Sequence, residues 1–418
     1  MDDYRRALAL YDYTVGLRRH FHTWPECMPE EQVHTMERIE RELDAMSVPH
    51  ERVPGGGIFG FIGGSRPGRT LLMRADMDAL PIREDPENLA GPRTCLSRVE
   101  GVMHACGHDA HTAMLLTEAR ILKETEAELP GRILLMFEEG EEGGGNIMKL
   151  CRALDREDLR PDGAYACHTL WSLPTGVIGI TEGVSMCGLY HFAIHIHGLT
   201  GHGSRPDQGH NVIDCFTQIY GALQNVRMTA IDPAHRLTYS ICTVHAGERH
   251  NVLPDSLRAA GTVRFDHVES GVRFMEKLRQ IGAACGAMCE CRVEIEQLEV
   301  HHPVSMEGNC RSLLRSAVTA ELGPEHVVTA PMWMASESFS HITDMIPSAF
   351  AFVGIRNEAK GSGAGHHTSK FDIDEEAMPW GVAAAVAYAR AFLREPPDTS
   401  GFRPMAESMA DYLKLVGE

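Results

Sequence analysis

The chain is poor in positive charge: 39 Lys and Arg stand against 58 Asp and Glu, a formal charge of −19 over 418 residues. A surface of that average sign repels polyanions, which excludes DNA and RNA as partners. Long apolar runs are missing as well. No stretch approaches the ~18 residues that a membrane span requires, and the opening MDDYRRALALYDYTVGLRRHFH is charged throughout, without the apolar core of a signal segment. The expectation is a cytoplasmic protein with no membrane partner. The 12 cysteines do not make a disulfide framework, which is a device of small secreted domains. Cys285, Cys289 and Cys291 cluster without the paired Cys and His spacing of a structural zinc site, and they read as spare buried thiols. No internal repeat or low-complexity tract occurs. What stands out against these absences is histidine, with 23 residues.

The length exceeds one ordinary core and suits two domains. Amphipathic helices are expected at 2–22 and 29–46, followed by strands in GIFGFIGG and RTLLMRADMDALP. Then come a helix at 110–127, a strand at 132–139, a helix near 145–155 and strands at 163–168 and 176–182. Alternating helices and buried strands predict an α/β fold with helices on the faces of its sheet. From 186 the grammar changes to strand, helix (209–228), strands (236–247 and 256–266), helix (268–286) and strand (290–299). This βαββαβ order is a complete ferredoxin-like unit. Helix and strand then resume, with helices at 308–321 and 374–394. The reading is a catalytic domain made of residues 1–185 and 297–418, interrupted by an inserted domain at 186–296.

Three segments concentrate chemistry. In MHACGHDAHTAMLL (103–116), Cys106, His108 and His111 crowd the turn before a helix, and thiolate with imidazole is a metal-ligand combination. Taken as packing, they would be cap and core residues. RADMDALP (74–81) ends a buried strand, where open α/β sheets place functional groups. Asp76 and Asp78 there could ligate a metal or orient an imidazole that does; a polar strand end is the plainer alternative. LLMFEEGEEGGGN (134–146) places four glutamates in five positions directly after a buried strand. Carboxylates so crowded call for cations or raised pKa values, unless they form a solvated run. His168 at a strand end, His202 in GLTGHGSRPD and His367 in GAGHHTSKFDIDEE would each be structural if met alone.

Together these segments resemble the two-metal aminoacylase and carboxypeptidase family of zinc metallopeptidases, in its amidohydrolase branch of N-acyl-amino-acid, hippurate, auxin-conjugate and aminobenzoyl-glutamate hydrolases. DMDALP, MHACGHD, EEG followed by Gly, GHGSxP, NVLPD, GTVR and a late His before FDIDE stand in the family's order between about residues 12 and 392. The resemblance implies a mixed, mostly parallel sheet flanked by helices, with the ferredoxin-like insert serving as a lid and dimerisation domain. It implies two divalent ions per chain, zinc or manganese, with cobalt or nickel as further candidates. Cys106 would bridge the ions, His108 and His168 would complete one site, and Glu142 and His367 the other. His366 competes with His367, but the spacing to Phe371 favours His367. Glu141 would be the general base for a water activated between the cations, and His202 would reach the active site across a dimer interface to hold the developing oxyanion. Asn251 and Arg264 would fix a substrate carboxylate, and Asp76 and Asp78 would stand behind the ligands.

The chain departs from the family where Phe137-Glu138-Glu139-Gly140-Glu141-Glu142 replaces F-Q-P-A-E-E, where Ser336-Glu337-Ser338-Phe339 replaces S-E-D-F, and over residues 85–100. The first change is expected to add two carboxylates near the metals and to favour a substrate other than a simple N-acetyl or N-benzoyl amino acid. The implied activity is hydrolysis of a small amide. A dipeptidase or an ammonia-releasing deaminase on the same scaffold is the catalytic alternative, and a non-catalytic binding protein is the distant one.

Overall fold

The computed structural model describes residues 2–143 and 145–417. The single helix expected over 2–22 is two, α1 (Asp2–Ala9) and α2 (Tyr11–Thr23), because Leu10 at φ −99°, ψ 12° turns the chain between them. After α3 (Val33–Ala45) the chain enters an eight-stranded sheet. Its strands are β1 (His50–Val53), β2 (Gly57–Gly63), β3 (Arg69–Asp76), β4 (Gly131–Glu138), β5 (Gly163–Pro174), β6 (Ile178–Ile180), β7 (Val327–Thr329) and β8 (Ser348–Arg356). Their order is β1-β2-β4-β3-β5-β8-β6-β7. The central pairs β4–β3, β3–β5 and β5–β8 are parallel, while β1–β2, β2–β4 and β8–β6 are antiparallel. The continuous apolar runs ILLMF and LLM are what a strand covered on both faces requires, and residues 133–137 and 71–73 are indeed fully buried.

The helix α4 (His108–Glu124) lies against this sheet and is buried along its length except at Arg120, Lys123 and Glu124. An α-helix apolar all round belongs inside a protein, and α2 and the helix Met378–Arg394 both pack on it. The register sets Asp76 opposite Glu138 where β3 and β4 end together. Arg74, 4% exposed, bridges them: Nη1 donates to Asp76 Oδ2 at 2.8 Å and Nε to Glu138 Oε2 at 2.7 Å.

By contact density the chain divides into two compact units: Met1–Ser185, Ser305–Pro331 and His341–Glu418 form one, and Met186–Val304 with Met332–Ser340 form the other. The second unit carries an antiparallel sheet in the order Leu237–Ala246, Ser256–Phe265, Gly188–His197, Arg292–His301. With the helices Val212–Leu223 and Val268–Met288 it has βαββαβ order, its core formed by Phe192, Ile194, Val263, Phe265 and Phe274. Strand Ser256–Phe265 alternates, with Leu257, Ala259 and Val263 buried while Ser256 and Arg258 are exposed, the period-two pattern of a sheet covered on one face. The last strand runs through residue 296, the boundary expected from sequence, and residues 332–340 join this unit, where Arg264 Nη1 donates to Ser336 Oγ at 2.9 Å. Among the described residues no helix is long and apolar enough to cross a membrane.

Arg74 is a counter-charge shared by Asp76 and Glu138. Replacing it with Met is expected to cost about 3–5 kcal/mol, because two buried carboxylates lose their partner; denaturant unfolding followed by circular dichroism measures this.

Candidate metal centre

Cys106 and His108 stand on either side of Gly107, which caps α4 in the left-handed conformation at φ 89°. A Cβ at Gly107 would lie 2.4 Å from Thr169 Oγ1, so the turn that aims both side chains inward needs glycine. His168 lies in β5, and Asp78 and Glu142 follow the ends of β3 and β4. The C-terminal edge of the parallel strands thus gathers these groups, as open α/β sheets generally do. His367 arrives on a loop at φ 60°, its backbone N–H bonded to Ala105 O at 2.9 Å. A non-glycine residue held in that conformation is characteristic of functional sites.

Two groups of side chains converge on the sulfur of Cys106. Cys106, His108 and His168 bring their ligand atoms within 4.8 Å of one another, and so do Cys106, Glu142 and His367. The sulfur lies 3.6 Å from His168 Nε2 and 3.3 Å from His367 Nε2, which is 3.1 Å from Glu142 Oε1. Glu141 also falls within 4.8 Å of His108 and Glu142.

Hydrogen bonds decide which ring nitrogens are free to ligate. His108 Nδ1 donates to Asp78 Oδ1 at 3.1 Å, and His168 Nδ1 to the Thr169 carbonyl at 2.7 Å. In each ring Nε2 is therefore the atom that can take a cation in place of a proton. His108 Nε2 is buried with no hydrogen bond, 3.9 Å from Glu142 Oε1. An unpartnered buried nitrogen facing a thiol and a carboxylate fits a divalent cation. His111 differs, although it also lies near Asp76 and His108. The Thr169 amide donates to its Nε2 at 2.9 Å, so its Nδ1 donates to Asp76 Oδ1 at 2.7 Å and no lone pair remains. Asp76 thus braces His111, whereas Asp78 braces His108 and accepts from the Glu142 amide at 3.0 Å.

The electrostatics agree with a cation site. Burial opposes charge on His108, yet Asp76, Asp78 and Cys106 draw its pKa well above the usual imidazole range. Burial, together with His111 and His366, holds His168 well below that range and so keeps it neutral. Burial and then Glu142 push the Cys106 thiol up, so a thiolate here needs a positive partner.

The glutamate run divides its work. Glu138 pairs with Arg74, and Glu139 Oε1 accepts from the Gln32 amide at 3.0 Å. The expectation that both add charge at the metals is therefore corrected, since each already serves a neighbouring strand or loop. His366 packs its ring 5.3 Å from that of His168 and 4.6 Å from that of Phe371.

The inserted unit holds the other three residues singled out by sequence. His202 pairs with Val252, and its Nδ1 accepts from Ser204 N at 3.1 Å and lies 2.8 Å from Ser204 Oγ. Nε2 of His202 consequently carries the proton. Asn251 is exposed, and its carbonyl accepts from Gly203 N at 2.9 Å.

Metal-dependent hydrolases are the class that this fold and this site define. The chain belongs to peptidase family M20/M25/M40, whose model matches residues 72–391, and it hydrolyses amide bonds in a metal-dependent reaction. An IAA-amino acid hydrolase of Arabidopsis thaliana is 32% identical over 92% of this chain and 87% of its own length. The N-acetylcysteine deacetylase of Bacillus subtilis is 31% identical over 88% of this chain and 94% of its own. The crystal structure of a dinuclear metal binding peptidase of the M20 family, also from Bacillus subtilis, superposes with TM-score 0.77 at 28% identity, covering 92% of this chain and 99% of that one.

Asp78→Ala removes the acceptor that both fixes the His108 tautomer and ties down the Glu142 backbone. Divalent-metal affinity, measured by competition with a chelating dye, is expected to fall about 10- to 100-fold.

Proposed function

We propose that the chain hydrolyses N-acyl amino acids with two divalent ions, zinc or manganese, sharing Cys106 as a bridge. His108 and His168 would complete one site, and Glu142 and His367 the other. The observation that carries this reading is the sulfur of Cys106 lying within ligand range of both groups while Nε2 is the ring atom of His108 and His168 that can take a cation.

Bound ions of this kind polarise an amide carbonyl and lower the pKa of water toward neutrality. Glu141, within 4.8 Å of His108 and Glu142, takes the proton of the attacking water and returns it to the leaving nitrogen. His202 donates its Nε2–H to the carbonyl oxygen as negative charge develops there, a contribution of about 3–4 kcal/mol for one well-placed donor. Arg264, with Asn251, holds the substrate carboxylate. The inserted unit acts as the lid that brings these groups to the reaction and as the surface of a homodimer. The 12 cysteines are all free, which suits a reducing cytoplasm.

The substrate class rests on what the similar proteins share. An IAA-amino acid hydrolase and an N-acetylcysteine deacetylase both act on an amide whose nitrogen belongs to an amino acid. A similar carboxypeptidase of Saccharolobus solfataricus, 32% identical over 91% of this chain and 95% of its own length, supports dipeptides as the second reading. With Glu138 and Glu139 committed elsewhere, the altered glutamate segment gives no ground for an unusual acyl group.

Assayed side by side with metal-loaded protein, hippurate and N-acetyl-methionine are expected to outrun dipeptides, and the reverse order would favour the second reading. Glu141→Gln is expected to keep both metals and lower kcat by about 10²- to 10⁴-fold; near-normal turnover would remove Glu141 from the role. Cys106→Ser is expected to lower metal content by elemental analysis, because a neutral hydroxyl is a far poorer ligand than a thiolate.

A further inference from the structure

Behind the metal centre lies a buried chain of charges on which the reaction itself makes no call. Arg18 on α2, 2% exposed, meets carboxylates from two distant parts of the sequence. Its Nε donates to Asp109 Oδ2 at 2.8 Å and its Nη1 to Glu375 Oε1 at 3.3 Å, while Nη2 lies 3.6 Å from Asp372 Oδ1. His22, one turn along α2, sits between two more carboxylates, with Nδ1 2.8 Å from Asp109 Oδ2 and Nε2 2.8 Å from Glu84 Oε1. Arg93 closes the chain: its Nη1 lies 3.5 Å from Glu84 and 3.3 Å from Asp372 and donates to the Phe371 carbonyl at 2.8 Å, and its Nη2 donates to the Ser369 carbonyl at 2.9 Å.

The segments so tied are those that carry the ligands. Asp109 directly follows His108 in the first turn of α4, residues 369–375 directly follow the His367 loop, and Glu84 with Arg93 lies on the irregular stretch that leads to Cys106. His108 has a helix and Asp78 to hold it. His367 has neither: its side chain is 50% exposed and its φ is 60°, and apart from the other ligands Cys106 and Glu142 it is held by the Ala105 contact and the clamp on the residues that follow.

We infer that Arg18 is a positioning residue whose planar guanidinium sets the separation between the His108 end and the His367 end of the metal centre. This rests on the ligand assignment proposed above. Its consequence is asymmetric, because losing the fork removes the direct tie from these residues to Asp109 while Arg19 and Arg93 still hold Glu375, Ser369 and Phe371, which loosens the loop while α4 stays packed. The site made of Cys106, Glu142 and His367 should therefore weaken and the site made of Cys106, His108 and His168 should not.

The test is a zinc titration of chelator-treated, full-length protein by calorimetry, with a cobalt titration following the thiolate-to-metal absorption band of Cys106. In Arg18→Met the site that His367→Ala abolishes is expected to lose about 10-fold or more in affinity, and the site that His108→Ala abolishes is expected to hold. Arg18→Lys keeps the charge but loses the fork, so it is expected to restore unfolding stability without restoring the His367 site. If Arg18→Met does not fold, Glu375→Gln is expected to weaken the same site and Arg19→Met, which removes the other partner of Glu375, is expected to weaken it less. Two normal sites in Arg18→Met and Arg18→Lys, or equal loss of both sites, would overturn the inference. His108→Ala and His367→Ala in the same titration test the assignment separately: if neither loses a site, the ligand reading fails whatever Arg18 does.

Discussion

Which nitrogen of each buried imidazole bears the proton governs the rest of the site. A ring whose Nδ1–H is spent on Asp78 or on the Thr169 carbonyl turns its Nε2 inward, and His108 and His168 are locked in that way. A ring that receives a backbone N–H at Nε2, as His111 does from Thr169, cannot bind a cation however near it lies. Thr169 thus sorts two neighbouring histidines with one residue, its carbonyl preparing His168 and its amide disarming His111. The same logic runs in the inserted unit, where Ser204 leaves His202 with its proton on Nε2, the form that can donate to an oxyanion.

These hydrogen bonds depend in turn on a sheet that can bury charge. Asp76 and Glu138 end adjacent parallel strands with almost no exposure, and Arg74 between them makes that tolerable. Burying so many ionised groups is costly unless each is paired, and here Arg74, Asp76, Asp78 and Glu138 are paired with one another or with histidines. Among the buried atoms with no hydrogen bond, which also include both ring nitrogens of His104 and Glu139 Oε2, His108 Nε2 is one that lies beside the sulfur and Glu142. A buried polar atom left open beside a thiol and a carboxylate is a point where a bound cation would complete the pairing.

Much of this was readable before any coordinates. The apolar runs ending in RADMD and FEEGEE, and the crowding of ligand types around Cys106, pointed to the sheet edge and to the five converging side chains. Other features were not readable. A run of four glutamates carries no mark to say that Glu138 answers an arginine on the next strand, that Glu139 caps a distant backbone amide, and that Glu141 and Glu142 lie beside His108. Likewise Cys106, His108 and His111 look equivalent within MHACGHDAH until Thr169, more than fifty residues on, is placed beside them. The helix expected over 2–22 hid both its turn at Leu10 and the task of Arg18, since periodicity reports which face of a helix is buried and not what a buried charge meets.

What the sequence determined by itself was the type of chemistry and the class of fold, because both follow from local rules: strand and helix periodicity, turn glycines, and ligand residues at fixed short spacings. What only the tertiary structure decided was the division of labour among chemically identical side chains. That division is set largely by hydrogen-bond partners 30 to 107 residues away, and a partner at that range leaves no trace in the spacing of the residues it commits.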